Sequence, residues 1–198
     1  MSERLVPPSE VLTANGVTLC RWRRGDAAAL LASVRASLVH LGPWMPWAVA
    51  GYDRAETNEF LTRSRKKWDA GEEFNFAIMT GGRRVIGSAG LMTRVGPGAL
   101  EIGYWVDVRH TGQGVATRAA AALAAAGLAV PGIDQVEIHH EEANTASAAV
   151  PRKLGFQQVG QVRKDDGGTN VVWRLRAGEL VASRIPEVLG QRRYAPAT

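Results

Sequence analysis

The chain has 198 residues, 45% of them hydrophobic and 22% charged, which suits one globular domain. Its formal net charge of +5 is spread over small lysine and arginine groups instead of one stripe. That distribution argues against a nucleic-acid partner and fits a basic rim around an anionic cofactor. No apolar run reaches the roughly 18 residues of a membrane span, no signal-peptide pattern opens the sequence and Cys20 is the one cysteine, so we expect a cytoplasmic protein without an intrachain disulfide.

Residues 1–14 are predicted to form a loose arm, because Pro7 and Pro8 interrupt them and few apolar positions recur. Strands are predicted where β-rich residues lie between turn signals, at 17–22, 74–79, 84–92, 100–106, 136–140, 157–163 and 171–175. Helices are predicted where apolar residues recur with helical spacing or alanine and leucine dominate, at 27–35, 54–70, 115–130 and 144–154. Residues 177–198 are predicted to be a tail with one or two helical turns at most.

The ends of these helices carry local signals. Asp26 is expected to be the N-cap of the first helix, and Gly71 and Gly155 are expected to end two of the others. Pro151 lies inside the last helix, where it lacks the N–H that a helix uses, so a kink or a late start is expected there.

The resulting order of elements is β-α-α-β-β-β-α-β-α-β-β. This order is neither a strict alternation of strands and helices nor all-β, and it contains no internal repeat or interdomain linker. It predicts a mixed α/β (α+β) fold in one domain over residues 15–176, with a mostly antiparallel sheet of about seven strands and helices on both faces.

The most informative segment is Leu100–Ala116, which is predicted to be a buried strand, a tight glycine loop and the start of a long helix. Unpaired amides at a helix N-terminus lie at the positive end of the helix dipole and bind phosphate. Glycine permits close approach of a diphosphate there. The loop is neither a P-loop nor a dinucleotide fingerprint, and by itself it does not distinguish a phosphate site from an ordinary strand–loop–helix joint.

Three ordered motifs resemble those of the GNAT acyltransferase superfamily. Glu101–Asp107 followed by Gly112–Thr117 is similar to the family's Arg/Gln-x-x-Gly-x-Gly/Ala loop for the CoA pyrophosphate, with Thr111 in the first position. Asn144–Ser147 followed by Lys153–Phe156 is similar to its Asn-x-x-Ser…Lys-x-Gly-Phe block.

The third motif is His40–Trp47, which resembles the Leu-x-x-Trp-Leu-Pro-Trp signature of the ribosomal-protein N-terminal acetyltransferase (RimJ/RimL-like) branch. The resemblance implies a sheet splayed at a cofactor cleft, acetyl-CoA as co-substrate without a metal, and direct acetyl transfer to a primary amine. It implies these cofactor-binding residues: Tyr104, Trp105, Val106, Gly112, Gln113, Gly114, Val115, Ala116, Thr117 and Asn144. Trp44 and Trp47 are expected to line the acceptor pocket, with core packing as the alternative.

The reaction also needs an acid and a base. Relatives commonly have a tyrosine acid where this chain has Pro151, so Ser147 is the candidate acid, and capping a helix amide is its alternative role. Glu101, on the key strand, is the candidate base through ordered water. Asp165 and Asp166 are other acidic candidates, although both suit an ordinary turn.

His139 and His140 alternate along a predicted strand, so only one of them can face the cleft. No cysteine or second histidine spacing supports a metal site, and a histidine with satisfied hydrogen bonds is favoured over a metal ligand.

Three functions remain open at this point: transfer to a protein N-terminal amine, transfer to a small amine such as a polyamine, an amino acid or an antibiotic, and acyl-CoA sensing without catalysis. No membrane partner is expected, and the sequence does not decide between a monomer and a homodimer.

Overall fold

The computed structural model describes residues 4–81, 84–164 and 167–191. Its strands are β1 (Val11–Ala14), β2 (Val17–Arg21), β3 (Glu73–Thr80), β4 (Arg84–Met92), β5 (Ala99–Val106), β6 (Gln135–Glu141), β7 (Gln157–Arg163) and β8 (Thr169–Arg176). Its helices are α1 (Ala27–Leu41), α2 (Arg54–Ala70), α3 (Val115–Leu128), α4 (Thr145–Leu154) and α5 (Ile185–Val188). Asp165 and Asp166 lie outside the described residues.

The eight strands form one sheet in the order β1-β2-β3-β4-β5-β6-β8-β7. All neighbouring strands are antiparallel except β5 and β6, which run parallel. The mixed, mostly antiparallel fold predicted from the sequence is therefore confirmed, with eight strands in place of about seven.

The additional strand is β1, which lies in the segment predicted to be a loose arm. Val11–Ala14 pairs with β2 through a hairpin whose two turn residues are Asn15 and Gly16, with φ angles of 31° and 89°. A type I′ hairpin turn requires positive φ at both positions, and Asn-Gly is the pair that accepts it best. The prediction was wrong for residues 11–14, although the Asn-Gly signal was present.

Buried side chains form two clusters, one on each side of the sheet. The smaller cluster joins α1 and Leu61 of α2 to Ala77 and Met79 of β3. The larger cluster joins α3 and α4 to β3–β6 and also takes in Trp68 at the end of α2. In α3, the buried run Ala119–Ala122 presents small side chains, so this helix can pack close to the sheet.

The central feature of the sheet is the interrupted pairing of β5 with β6. The two strands pair only where Ala99, Leu100 and Glu101 lie beside Gln135, Val136 and Glu137. Beyond that point both strands continue, β5 paired with β4 and β6 paired with β8. A gap between two strands therefore opens in the middle of the sheet.

Residues after β8 pack on the domain. Ile185 of α5 is 1% exposed, and Leu180, Val188 and Leu189 pack against the larger cluster. The predicted helical turns are present, and the described part of this tail belongs to the core. Within the described ranges, no helix combines the length and apolar character needed to cross a membrane.

The helix-end predictions had mixed outcomes. Gly71 and Gly155 end α2 and α4 with φ angles of 76° and 83°. Asp26 occupies the N-cap position of α1 but does not cap an α1 amide, and its carboxylate accepts a hydrogen bond from Arg23 N–H (2.9 Å). Pro151 does not delay α4, which begins at Thr145.

Candidate active site

The loop between β5 and α3 presents backbone amides at an uncapped helix N-terminus. Gly112 and Gly114 both have left-handed φ angles, 71° and 72°, and Gly114 is the N-cap of α3. No side chain caps α3, and its first turn carries no acidic residue. The amides of Val115, Ala116 and Thr117 have no intrahelical acceptor because they open the helix. The positive end of α3 is therefore free to meet an anion.

Arg118 adds a positive charge beside this loop. One terminal nitrogen of Arg118 lies 3.2 Å from the position that a Cβ on Gly114 would occupy, and its buried Nε has no hydrogen-bond partner among the described residues. Gln113 is held by its own hydrogen bond to Arg109 O (3.3 Å), and Thr111 by one to Val108 O (3.0 Å). A buried guanidinium nitrogen beside free amides fits a phosphate group.

Asp107 fixes the loop to α1. It is fully buried, and its carboxylate accepts hydrogen bonds from the Arg109 side chain (2.9 and 2.5 Å) and from Ser33 Oγ (2.9 Å). Val108 N–H in turn donates to Ser37 Oγ (3.0 Å). The Arg109 guanidinium holds the pKa of Asp107 well below its usual range, against the opposing effect of burial. The start of the glycine loop is thus held by a charged, hydrogen-bonded network.

The gap beside β5 exposes backbone groups of alternate residues. Asp107 N–H donates to Ile86 O of β4 (2.9 Å), and Trp105 O points at Gly87 of β4. Backbone groups alternate between the two edges of a strand, so those of Tyr104 and Val106 are directed to the gap. An extended molecule can pair with them as an added strand does.

The Tyr104 side chain crosses to α4 and meets Ser147. Its hydroxyl lies 3.2 Å from Ser147 O and 3.1 Å from Ser147 Oγ. Ser147 O is available because its usual helical donor, four residues later, is Pro151, which has no N–H. Burial raises the pKa of Tyr104 to about 12, so the phenol stays protonated at neutral pH.

Asn144 positions Ser147 from the other side, because its side chain accepts a hydrogen bond from Ser147 N–H (3.0 Å). Asn144 is therefore the N-cap of α4, and Ser147 Oγ is not itself the cap.

Aromatic side chains line the opposite face of β5. Trp105 lies 5.9 Å, centroid to centroid, from Trp47, which lies 5.9 Å from Tyr52. Trp47 is 39% exposed and Trp44 is half-buried, so the Pro-rich loop presents Trp47 as a surface instead of burying it in the core. Trp105, expected at the cofactor, contributes its ring to this wall.

The same sheet face continues as a charged surface across β5, β6 and β8. Glu101 accepts two hydrogen bonds from Arg94 (2.6 and 2.5 Å) and is 6% exposed. Glu137 accepts from Arg174 (2.8 Å) and contacts His139 Nε2 (2.7 Å). With both oxygens held by a guanidinium, Glu101 is poorly placed to take a proton from a substrate.

His140 lies on the other face and is fully satisfied. Its Nε2 accepts from the Trp173 indole N–H (2.9 Å), so Nδ1 carries the proton and donates to Glu141 O (2.9 Å). Within the described ranges, no group of three or more histidine, cysteine, aspartate or glutamate side chains could hold a metal ion.

Comparison with known proteins identifies the family. A family model described as the acetyltransferase (GNAT) domain matches residues 17–157. The chain belongs to the GNAT acetyltransferase family. No curated protein sequence matches it.

Solved structures share the GNAT fold. RimJ of Mycobacterium smegmatis, solved with a CoA disulfide, is 25% identical with a TM-score of 0.76, and the alignment covers 96% of each chain. RimL, a ribosomal L7/L12 alpha-N-protein acetyltransferase solved with coenzyme A, is 19% identical with a TM-score of 0.74, over 87% of this chain and 97% of its own. The microcin C7 self-immunity acetyltransferase MccE, solved with acetyl-CoA and AMP, is 17% identical with a TM-score of 0.74, over 82% and 93%.

As a GNAT acetyltransferase, the protein uses acetyl-CoA as its acetyl donor. The gap and the Tyr104–Ser147 contact both lie at β5, and the glycine loop follows that strand. Together they fit this donor. Sequence reasoning missed Arg94, Arg118 and Glu137, since no local pattern indicates which distant charges meet. It also missed Tyr52, whose pairing with Trp47 arises only once α1 and α2 have packed together.

A first prediction concerns Gly114. Gly114→Ala forces an L side chain into a left-handed conformation at the uncapped N-terminus of α3, so acetyl-CoA affinity should fall about tenfold or more. Gly190, which follows α5, has a similar φ of 77° with open space around it. Gly190→Ala therefore introduces similar backbone strain, about 1 kcal/mol, without a change in affinity. Calorimetric titration checks both, and equal affinities would contradict the loop's role.

A second prediction concerns Asp107. Because its folded pKa is lowered, ionised Asp107 stabilises the fold above the ordinary aspartate pKa of about 3.9, and this stabilisation is lost as pH falls toward the folded pKa. Asp107→Asn should lower the free energy of unfolding by about 1–3 kcal/mol at neutral pH. Urea unfolding from about pH 7 to about pH 3 should show the difference from wild type shrinking with acidity. The control is Asp134→Asn, because Asp134 is exposed. A difference in the free energy of unfolding that does not change with pH would contradict the stabilising role of ionised Asp107.

Proposed function

We propose that this acetyltransferase acts on the N-terminal α-amine of a protein, with the ammonium entering over the Trp47–Trp105 wall. The observation that carries the proposal is the open, aromatic acceptor face, where Trp47 is 39% exposed against Trp105 and Tyr52. The structural likeness to RimJ over 96% of both chains supports it. A cytoplasmic location would follow from such an acceptor.

Charge on this face favours a peptide over a small polycation. The described carboxylates there are paired with basic groups: Glu73 with Lys67 (3.0 Å), Glu101 with Arg94, Glu137 with Arg174, and Glu141 with Lys164 (2.7 Å). A polyamine site needs uncompensated negative charge, whereas a peptide brings one ammonium and many neutral backbone groups.

The edge strand β7 favours the same acceptor. All of its residues, Gln157–Arg163, are exposed, so the sheet face is open at this side instead of closing into a small pocket. An extended peptide can lie along such a surface, whereas a small ligand usually binds in a concave pocket that buries most of it.

In this proposal, acetyl-CoA binds on one side of β5 and the amine approaches from the other. Acetyl-CoA supplies the acetyl thioester. The amides of the glycine loop and Arg118 would hold its phosphates, and the gap-facing backbone of Tyr104 and Val106 would align its extended arm. A gap-facing amide of β5 can stabilise negative charge that develops on the thioester oxygen.

We assign Ser147 as the relay that returns a proton to the leaving sulfur. A serine hydroxyl is a weak acid, so it must receive a proton as it donates one. That proton comes from the amine nitrogen, and the Tyr104 phenol, which donates to Ser147 O and lies 3.1 Å from Ser147 Oγ, holds the serine hydroxyl in position. Asn144 fixes the turn that carries Ser147.

The acceptor class is tested by a thiol-release assay with acetyl-CoA and a panel of amines. We expect turnover with peptides that begin with small residues and at least about tenfold lower kcat/KM with polyamines, free amino acids and aminoglycosides. Turnover of a small amine alone would assign the enzyme to that acceptor class. Acetyl-CoA binding without turnover of any amine would instead indicate an acyl-CoA sensor.

The relay predicts a selective loss of kcat. Ser147→Ala should lower kcat about 10- to 100-fold while the affinity for acetyl-CoA changes less than about threefold, because the cap on its N–H is kept. Tyr104→Phe should give a smaller loss in the same parameter. Thr145→Ala, an exposed position on the same helix turn, is the matched control. Full activity of Ser147→Ala would show that the sulfur takes its proton from water.

A further inference from the structure

We propose that His139 is the general base that takes the proton from the acceptor ammonium, and that Glu137 orients it. This inference rests on the proposed function, transfer to an amine, and it names the group on which that function depends. Glu101, the candidate suggested by the sequence, is the competing base.

His139 lies at the right place along the gap. On β6 it is two residues beyond Glu137, the last residue paired with β5. Extending that parallel register by two residues places Gly103 of β5 across the gap from His139. Gly103 presents no side chain next to the Tyr104 backbone that faces the gap, and the end of the Met92 side chain lies over it, 3.1 Å from the position that a Cβ would occupy.

His139 also lies on the acceptor side of the sheet. Side chains alternate along a strand, so Glu101, Gly103 and Trp105 share one face of β5, and Glu137 and His139 share the corresponding face of β6. Arg174 of β8, directly beside Glu137 in the register, contacts it on this face. The imidazole therefore faces the same side as the aromatic wall, whereas His140 faces the core.

Its hydrogen bond determines which ring nitrogen can accept a proton. Glu137 is 5% exposed, and its Oε1 accepts hydrogen bonds from the Arg174 guanidinium at 2.8 and 2.7 Å. Oε2 then accepts from His139 Nε2–H at 2.7 Å. Nδ1 is left with its lone pair, and among the described residues it makes no hydrogen bond. The side chain is 13% exposed, so a substrate amine or one water can reach it.

The charges that face His139 are balanced by their own partners. Glu137 and Glu141 lie on its strand, Glu101 on β5 and Arg174 on β8. Arg94 pairs with Glu101 and Lys164 with Glu141. Every described carboxylate near the gap is therefore engaged by a cation, and His139 Nδ1 is the proton acceptor on this face that has no partner among the described residues.

The proton balance follows directly. Nδ1 of His139 accepts one proton from R–NH3⁺ and passes it to solvent, leaving R–NH2. The nitrogen forms a C–N bond to the thioester carbon and the C–S bond breaks. The second proton leaves the nitrogen and reaches the sulfur through Ser147, so the products are the amide, the free thiol and one proton in solvent.

The test compares His139→Gln with wild type, using the N-terminal peptide that the panel shows to be turned over fastest. At about pH 7 we expect kcat/KM to fall about 100-fold or more, with acetyl-CoA affinity unchanged. An N-terminal amine ordinarily loses its proton near a pKa of about 7.7–8.0. Above that pH the acceptor arrives neutral and needs no base, so the deficit should shrink to below about tenfold at about pH 9.5. A purely structural defect would not recover with pH.

Three variants complete the experiment. Glu137→Gln should lose about tenfold at neutral pH and recover in the same way. His40→Gln makes the same substitution at an exposed position of α1 and should behave as wild type, and Glu101→Gln should show no pH-dependent loss. If His139→Gln disturbs folding, restoration of His139→Ala activity by added imidazole supports the proposal and its absence opposes it.

The outcomes separate the two proposals. Suppose that wild type acetylates the amine. If His139→Gln is then as active as wild type, or if its loss of activity is the same at every pH, the base assignment alone is overturned. A pH-recovering loss in Glu101→Gln with a normal His139→Gln transfers the role to Glu101. Wild type that binds acetyl-CoA but acetylates no amine overturns the proposed function and this inference with it.

Discussion

The architecture of this site depends on the point where β5 stops pairing with β6. Three residue pairs hold the strands together, and past Glu101 and Glu137 each strand keeps only its outer neighbour. Backbone groups inside a sheet strongly favour a partner. The inner edge of β5 is thus a strand edge within the protein, and a ligand with an extended, hydrogen-bonding arm is the natural molecule to complete it. The glycine loop follows directly from β5, so the free strand edge leads to the uncapped N-terminus of α3.

The alternation of side chains along β5 then sends neighbouring side chains to opposite faces of the sheet. Tyr104 crosses to α4 and Ser147, on the side where α3 and α4 pack. Trp105, its neighbour in sequence, points to the Pro-rich loop and Trp47 on the side of α1. Tyr104 and Trp105 are adjacent in the strand that borders the gap, so the groups we propose for the leaving sulfur and those we propose for the amine approach the gap from opposite faces. Asp107 and its neighbour Val108 connect the end of this strand to α1 through hydrogen bonds with Ser33 and Ser37.

Much of this arrangement could be predicted from local sequence, because local chemistry determines it. The helix stops at Gly71 and Gly155, the Asn144 cap and the glycine loop all depend on residues within one turn of each other. The hairpin of β1 was equally local, and Asn15-Gly16 signals it, yet the preceding prolines obscured the pattern. The ion pairs of Glu101 with Arg94 and Glu137 with Arg174 could not be predicted, since they require the turn after β4 and the return of β8 to be in place. Those pairs matter for the proposed base, because they engage both oxygens of Glu101 with Arg94 and leave His139 as the candidate.

Pro151 shows how one substitution can reorganise a site without disrupting it. The family resemblance places a tyrosine at this position in many relatives, whereas proline here removes both a phenol and a helical N–H. The second loss frees Ser147 O, and the phenol of Tyr104 reaches that same oxygen from β5. The phenol beside Ser147 is thus supplied by a strand instead of a helix, and the carbonyl that proline would have left unpaired gains a donor. A buried acceptor left without a donor typically costs about 1–3 kcal/mol of folding free energy. The Tyr104 contact therefore stabilises the fold in addition to the role proposed for it beside Ser147. For this reason Tyr104 and Pro151 should be considered as a pair in any comparison of this site with its relatives.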